Sequence, residues 1–208
     1  MTFDESQLAA IERARHERFC IINGGAGSGK TTIIKAIADA MKKTKENYAM
    51  CAFAGKAAAR LKEATGHNAS TIHRMLEFKG DFGFSLRTLK GTTVIIDEAS
   101  MVSSDLMAEI VKREPARLIL VGDEAQLAPV GSGQPFHDII KLFPGKVSTL
   151  TTCYRNKEAI FKAALAIRNG EMPLPQDKTD DETWGFYATG GAEATHEMLL
   201  TGVQNGDI

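Results

Sequence analysis

The segment from Phe19 to Thr31 confines the fold of this chain more than any other. FCIIN, a short apolar run, passes at once into GGAGSGKT and then into KTTIIKAIADAMKK, whose apolar residues recur at helical spacing. A strand, a glycine-rich turn and a helix in that order give G-x-x-x-x-G-K-[ST] the context of a phosphate-binding loop. Glycines let successive backbone N–H groups converge on phosphate oxygens, and the start of the helix adds positive potential. Gly25, Ala26, Gly27, Ser28, Gly29, Lys30, Thr31 and Thr32 are therefore the expected nucleotide-binding residues. Lys30 is expected to reach the β- and γ-phosphates, and the Thr31 hydroxyl to ligate Mg²⁺. The plain alternative is a glycine-rich turn with no ligand.

Further apolar runs repeat the pattern. YAMCAFA (48–54), TVIIDEA (93–99), RLILVGD (117–123) and KVSTL (146–150) read as buried strands, and helical stretches separate most of them. Continuous apolar strands alternating with helices predict an α/β fold: a parallel sheet flanked by helices. Ligands of such sheets bind beyond the C-terminal strand ends, where the glycine-rich and acidic stretches of this chain fall. Asp4 or Ser6 is expected to cap a first helix with Leu8, Ile11 and Ala14 on one face. A helix over 157–169 precedes NGEMPLPQDKTDDET, a linker by composition. The expected organisation is one domain over 1–170, with a small insertion at about 77–92. Residues 171–208 then hold a linker and the incomplete start of a second domain.

Composition narrows the function classes. With 43% hydrophobic and 25% charged residues among 208, the chain is that of an ordinary globular protein. A formal net charge of -1 gives no global basic field, so any nucleic-acid surface must be local. No apolar run approaches a membrane span, and MTFDESQLAAIERA is acidic and polar, unlike a signal peptide. Cys20, Cys51 and Cys153 are scattered and lack CxxC spacing; they read as small apolar residues of a reduced, cytoplasmic protein.

Three further stretches carry chemistry. In VIIDEAS, Asp97 at a strand end is placed to hold Mg²⁺, and Glu98 to orient or deprotonate an attacking water. In LVGDEAQLAPVGSG, Gln126 is either a sensor of the γ-phosphate or lytic water, or an ordinary loop glutamine. In ASTIHRML, Thr71 and His73 have no metal-ligand partner at useful spacing, no nearby residue completes a triad, and Ser70 is a candidate helix cap. Between these stretches Phe78, Phe82 and Phe84, with Gly80 and Gly83, suggest a small hairpin.

GGAGSGKT, GKAAARL, STIH, IIDEASMV, GDEAQLAPVGSG and LTTCYRN, in that order, resemble the first motor domain of superfamily 1B DNA helicases, the RecD-like and Dda-like group. The match runs from about Gln7 to Arg155. The resemblance implies a RecA-like domain that uses ATP and Mg²⁺ to move 5′ to 3′ along single-stranded DNA. It further implies that Gln7 reads adenine, that Gln126 contacts the γ-phosphate, and that Arg155 is an arginine finger stabilising charge on the transferring phosphoryl group. Thr71 and His73 become single-strand contacts, with Lys56 and Arg60, one helical turn apart, adding a basic strip. The hairpin is either the family's duplex-splitting pin or a compact turn burying its own aromatics.

The chain also departs from that pattern. Phe53-Ala54 replaces the usual Pro-Thr before GKAA and removes a hydroxyl expected at DNA. Glu124, Ala125 and Ala128 stand where the family has Pro, Asp and Pro. A second motor domain, on a longer or a separate chain, is the expected partner for movement. A standalone nucleotide hydrolase or switch without motor action, and a non-catalytic DNA-binding remnant, are the alternatives.

Overall fold

The computed structural model describes residues 3–85, 88–152, 166–167 and 170–171. The chain divides into two compact units, Met1–Arg155 and Asn156–Ile208. Of the helix predicted over 157–169, Ala166 and Ile167 are described and helical. Gly170 (φ 77°) and Glu171 close it, their N–H groups donating to Ile167 and Ala166 carbonyls at 3.0 and 2.8 Å. The rest of the expected linker and the expected start of a second domain lie outside the described residues, as do Cys153 and Arg155.

The first unit is a six-stranded, all-parallel sheet. Its strands are β1 (Phe19–Gly24), β2 (Asn47–Ala52), β3 (Ala69–Thr71), β4 (Thr92–Asp97), β5 (Arg117–Gly122) and β6 (Val147–Leu150), in the spatial order β3-β2-β4-β5-β1-β6. The expected α/β architecture is therefore present, with one strand more than the apolar runs announced. β3 contains only Ala-Ser-Thr and has no hydrophobic signature; it exists because it pairs with Met50–Ala52 of β2.

Alternation along the strands sends successive side chains to opposite faces and builds two cores. Cys20, Ile22, Met50, Ile95, Ile119 and Val121 face one core, together with Ile33, Ile34, Ile37 and Met41 of α2 (Lys30–Thr44) and Leu61 of α3 (Gly55–Thr65). Ile21, Cys51, Val94, Ile96, Leu118 and Leu120 face the other. There they meet Ile72 and Met75 of α4 (Ile72–Met75), Leu106 and Ile110 of α5 (Ser104–Val111), and Phe136 of α6 (Pro135–Leu142). The two described cysteines act as core residues, and burial pushes both thiols up to about 12.

The first helix, α1 (Glu5–His16), is capped by Asp4, not Ser6, and it buries Gln7, Ala10 and Ala14. Leu8, expected on the buried face, is 51% exposed. The buried face of the helix is centred on Gln7, Ala10 and Ala14, which leaves Leu8 on its solvent side. Among the described residues no helix is long and apolar enough to cross a membrane.

Candidate nucleotide site and nucleic-acid interface

The order β4-β5-β1 sets three strand ends side by side, so the glycine-rich loop after β1, Asp97 at the end of β4 and Asp123 just after β5 share one rim of the sheet. The loop itself requires its glycines. Gly27 (φ 79°) and Gly29 (φ 85°) occupy the left-handed region, which a β-carbon penalises. Gly24 answers to crowding instead: a Cβ there would lie 2.6 Å from Ser28 Oγ and 3.0 Å from Leu150 Cβ. Ser28 is buried, and its hydroxyl donates to the Gly25 carbonyl at 2.8 Å. Lys30 folds back over the loop, its ammonium donating to the Gly24 and Gly25 carbonyls at 2.6 and 3.0 Å. Thr31 and Thr32 follow, half-buried, in the first turn of α2.

The carboxylate pair joins a desolvated Asp97 to a Glu98 with a strained backbone. Asp97 is 9% exposed, and its pKa is raised to about 6, chiefly by burial and then by the Glu98 charge; the Glu98 N–H and Lys30 oppose that rise. Glu98 adopts φ 52°, ψ 42°, a left-handed conformation that costs a non-glycine residue about 1–2 kcal/mol. Its N–H donates to Asp97 Oδ1 at 3.0 Å, and its Oε2 is buried without a hydrogen-bond partner among the described residues. Among the described residues Glu98 is the one non-glycine that combines a left-handed backbone with a buried carboxylate oxygen lacking a hydrogen-bond partner.

Two bonds absent from any sequence pattern hold the loop after β5. Asn23, at the end of β1, accepts the Glu124 N–H on Oδ1 at 3.1 Å. The Ser100 hydroxyl donates to Gln126 Oε1 at 2.8 Å. The loop then returns to α5, where Ser104 N–H donates to the Ser132 carbonyl at 2.8 Å. Asn23, Gly24 and Ser100 were not among the expected site residues. Gly24 offered a signal as the first glycine of the quoted motif, and Asn23 as a polar residue at the end of an otherwise apolar strand.

Gln7 lies at the loop's edge. Its Nε2 donates to the Ser28 carbonyl at 3.2 Å, and its Oε1 accepts the Asp4 N–H at 3.3 Å.

The second cluster lies at the β3 side of the sheet. Ala52 pairs with Thr71, so the ends of β2 and β3 adjoin, and α3 starts three residues after Ala52. Lys56 and Arg60 are exposed on α3. Thr71, rather than Ser70, caps α4, its hydroxyl accepting the Arg74 N–H at 3.2 Å. His73 packs among Phe53, Phe78 and Phe84, with ring centroids 6.2, 5.5 and 5.9 Å away. Phe53, one of the departures from the RecD-like pattern, thus joins the β2–α3 turn to α4. The expected hairpin is present as a single antiparallel bridge, Phe78 to Phe84, around a 3-10 turn at Gly80–Phe82. At its base the Phe78 and Phe84 rings pack at a tilt with centroids 4.9 Å apart, while Phe82 at the tip is 91% exposed.

The sequence profile of a family described as an AAA domain matches residues 2–187. The chain belongs to that family. This AAA domain is 38% identical over 181 residues to the ATP-dependent RecD2 DNA helicase of Deinococcus radiodurans, covering 84% of this chain and 25% of the relative. It is 34% identical over 198 residues to the RecBCD enzyme subunit RecD of Mycolicibacterium smegmatis, covering 80% of this chain and 36% of the relative. The AAA domain thus spans about a quarter to a third of the length of these curated relatives. Among solved structures, Pif1 helicase from Candida albicans superposes with a TM-score of 0.64 at 22% identity, over 83% of this chain and 45% of that one. Bacteroides Pif1 bound to single-stranded DNA gives 0.60 at 24% identity, over 83% and 47%. The fold is shared with these Pif1 helicases, and the relatives found by sequence agree with the RecD-like resemblance of the six motifs.

Proposed function

We propose that this AAA domain is the ATP-binding and ATP-hydrolysing part of a 5′ to 3′ DNA helicase, and that it couples nucleotide turnover to grip on single-stranded DNA. The observation that carries this reading is the convergence of the P-loop, the Asp97–Glu98 pair and Gln126 on three adjacent strand ends. The residues fit a magnesium-bound triphosphate: two left-handed glycines shape the loop, the Lys30 ammonium hydrogen-bonds only carbonyls among the described residues, and the buried Asp97 with the half-buried Glu98 sits on the same rim. Thr31 and Asp97 would hold Mg²⁺, which supplies charge neutralisation for the phosphates. Lys30 binds the terminal phosphates. Glu98 orients and deprotonates water, and the strained backbone fixes where its carboxylate points. Gln126 reports the state of the γ-phosphate to the loop after β5, and Arg155 contributes as an arginine finger.

The DNA surface in this reading is Lys56, Arg60, Thr71 and His73, with phosphates held by the basic strip and by polar groups at the ends of β2 and β3. The motor domain proper comprises residues 1–170, with the insertion at about 77–92, and 171–208 lead towards a second motor domain on a longer or separate chain.

The test is ATP turnover with and without a single-stranded oligonucleotide, on wild type and Glu98→Gln. The helicase reading expects stimulation by DNA and loss of turnover in the variant. A turnover indifferent to DNA would instead identify a standalone hydrolase or switch.

A further inference from the structure

We infer that Gln7 is a positioning residue of the phosphate-binding loop: it latches α1 to the Ser28 carbonyl and so sets the affinity for the triphosphate whatever base it carries. This rests on the reading of the loop as a triphosphate site.

Gln7 is only 4% exposed, so both ends of its amide need partners inside the protein. They have them. Oε1 accepts the Asp4 N–H, Nε2 donates to the Ser28 carbonyl, and the Gln7 backbone N–H donates to Asp4 Oδ1 at 2.8 Å, completing a capping box. The amide orientation is unambiguous, because a backbone N–H can only donate and a carbonyl can only accept.

The choice of carbonyl matters. Ser28 precedes Gly29, the left-handed residue from which α2 starts. In a planar trans peptide the C=O and the following N–H point in opposite directions. With the Ser28 carbonyl drawn towards α1, the Gly29 N–H is aimed away from α1. Rotation of that peptide would lose the donor direction that a phosphate-binding loop depends on. Ser28 is held on its other side too, through its hydroxyl and its N–H, both of which donate to the Gly25 carbonyl at 2.8 and 3.3 Å. Gln7 supplies the only side-chain donor to the Ser28 carbonyl among the described residues. It acts from outside the loop, from the first turn of α1.

A base reader and a loop latch differ in what they do to a ligand without a base. The experiment measures equilibrium affinities of the 208-residue protein for Mg²⁺ complexes of ATP, GTP and inorganic tripolyphosphate. The variants are Gln7→Met, which keeps the buried bulk and helix propensity but loses both hydrogen bonds, and Asp4→Ala, which removes the cap but leaves the Gln7 amide. One net hydrogen bond corresponds to about 3–10-fold in affinity.

The latch expects Gln7→Met to weaken all three ligands by the same factor within that range. It expects Asp4→Ala to lower the melting temperature while changing the three affinities by less than about twofold. Loss confined to ATP, with tripolyphosphate unaffected, would overturn the latch in favour of adenine reading. Equal losses in Asp4→Ala and Gln7→Met would trace the effect to helix fraying and also overturn it. A wild-type protein that binds none of the three would overturn the triphosphate reading itself, and the latch with it.

Discussion

The Ser100 hydroxyl donates to the Gln126 amide oxygen at 2.8 Å and ties the loop after β4 to the loop after β5. Ser100 is buried, whereas Gln126 is exposed, so the buried partner anchors the exposed one. If Gln126 acts on the phosphate or on water, Ser100 decides where its amide starts from. Ser100→Ala is expected to lower kcat for ATP by about 2–10-fold, the equivalent of one net hydrogen bond. In the double variant with Gln126→Ala the loss is expected not to exceed that of Gln126→Ala alone, because the two residues act as one unit. Multiplying losses in the kinetic cycle would show that the bond carries nothing.

Lys30 and Glu98 divide the work between ground state and transition state. Lys30→Ala removes a charge-assisted donor to the phosphates and is expected to weaken a fluorescent ATP analogue by about 10–100-fold. Glu98→Gln keeps shape and hydrogen bonding, so its affinity stays within about threefold while turnover falls by about 10²–10⁴. Binding titrations of the two variants, read beside single-turnover hydrolysis, separate the roles. Equal affinities for both variants would contradict the assignment.

The departure at Ala54 has a measurable consequence. Ala54 is the N-cap of α3 at φ -97°, ψ 147°, the backbone a capping residue needs, yet it has no side-chain acceptor for the first-turn N–H groups. Ala54→Thr is expected to stabilise the domain by about 1 kcal/mol, a rise of roughly 2–4 °C in Tm. The same hydroxyl lies between Phe53, which touches His73, and the exposed Lys56. A few-fold tightening of oligonucleotide binding, followed by fluorescence anisotropy, is therefore expected alongside the stabilisation. An unchanged melting temperature would mean that the hydroxyl does not reach the helix N–H groups.

Legibility in the sequence followed the range of the forces involved. The phosphate-binding loop could be read because its glycines answer to local backbone geometry, and the long strands because burial on both faces leaves continuous apolar runs. β3 was invisible: three residues of Ala-Ser-Thr owe their strand state to pairing with β2. Leu8 was misplaced because the face that docks on the core is set by Gln7, Ala10 and Ala14 and not by the larger apolar side chain. Asn23–Glu124, Ser100–Gln126 and Gln7–Ser28 span 101, 26 and 21 residues. Each depends on strand order or on helix docking, which no local pattern encodes. The Glu98 backbone strain was hidden for the same reason, since two adjacent acids look alike in any loop.

A buried histidine on the far flank of the sheet supplies a pH-dependent test. His67 is 7% exposed; its Nε2 is 2.8 Å from Asp39 Oδ1, and its Nδ1 is 2.7 Å from the Tyr48 hydroxyl. The three residues join α2, β2 and the turn after α3. The hydrogen bond to His67 holds the Asp39 carboxyl below its ordinary value, with Lys35 adding to the effect and partial burial opposing it. A carboxyl depressed in the folded state stabilises the protein fully above its unfolded pKa, and that contribution is lost as pH falls through the lower, folded value. Asp39→Ala is therefore expected to destabilise at pH 7 by about 1–3 kcal/mol, because it strips a buried ring nitrogen of its partner. The gap between variant and wild type is expected to stay level down to about pH 4, near the ordinary aspartate value, and to close below it. Urea unfolding of both proteins from pH 3 to pH 7 reads this directly. A gap that keeps its full size at pH 3 would mean that Asp39 stabilises through packing and not through its charge.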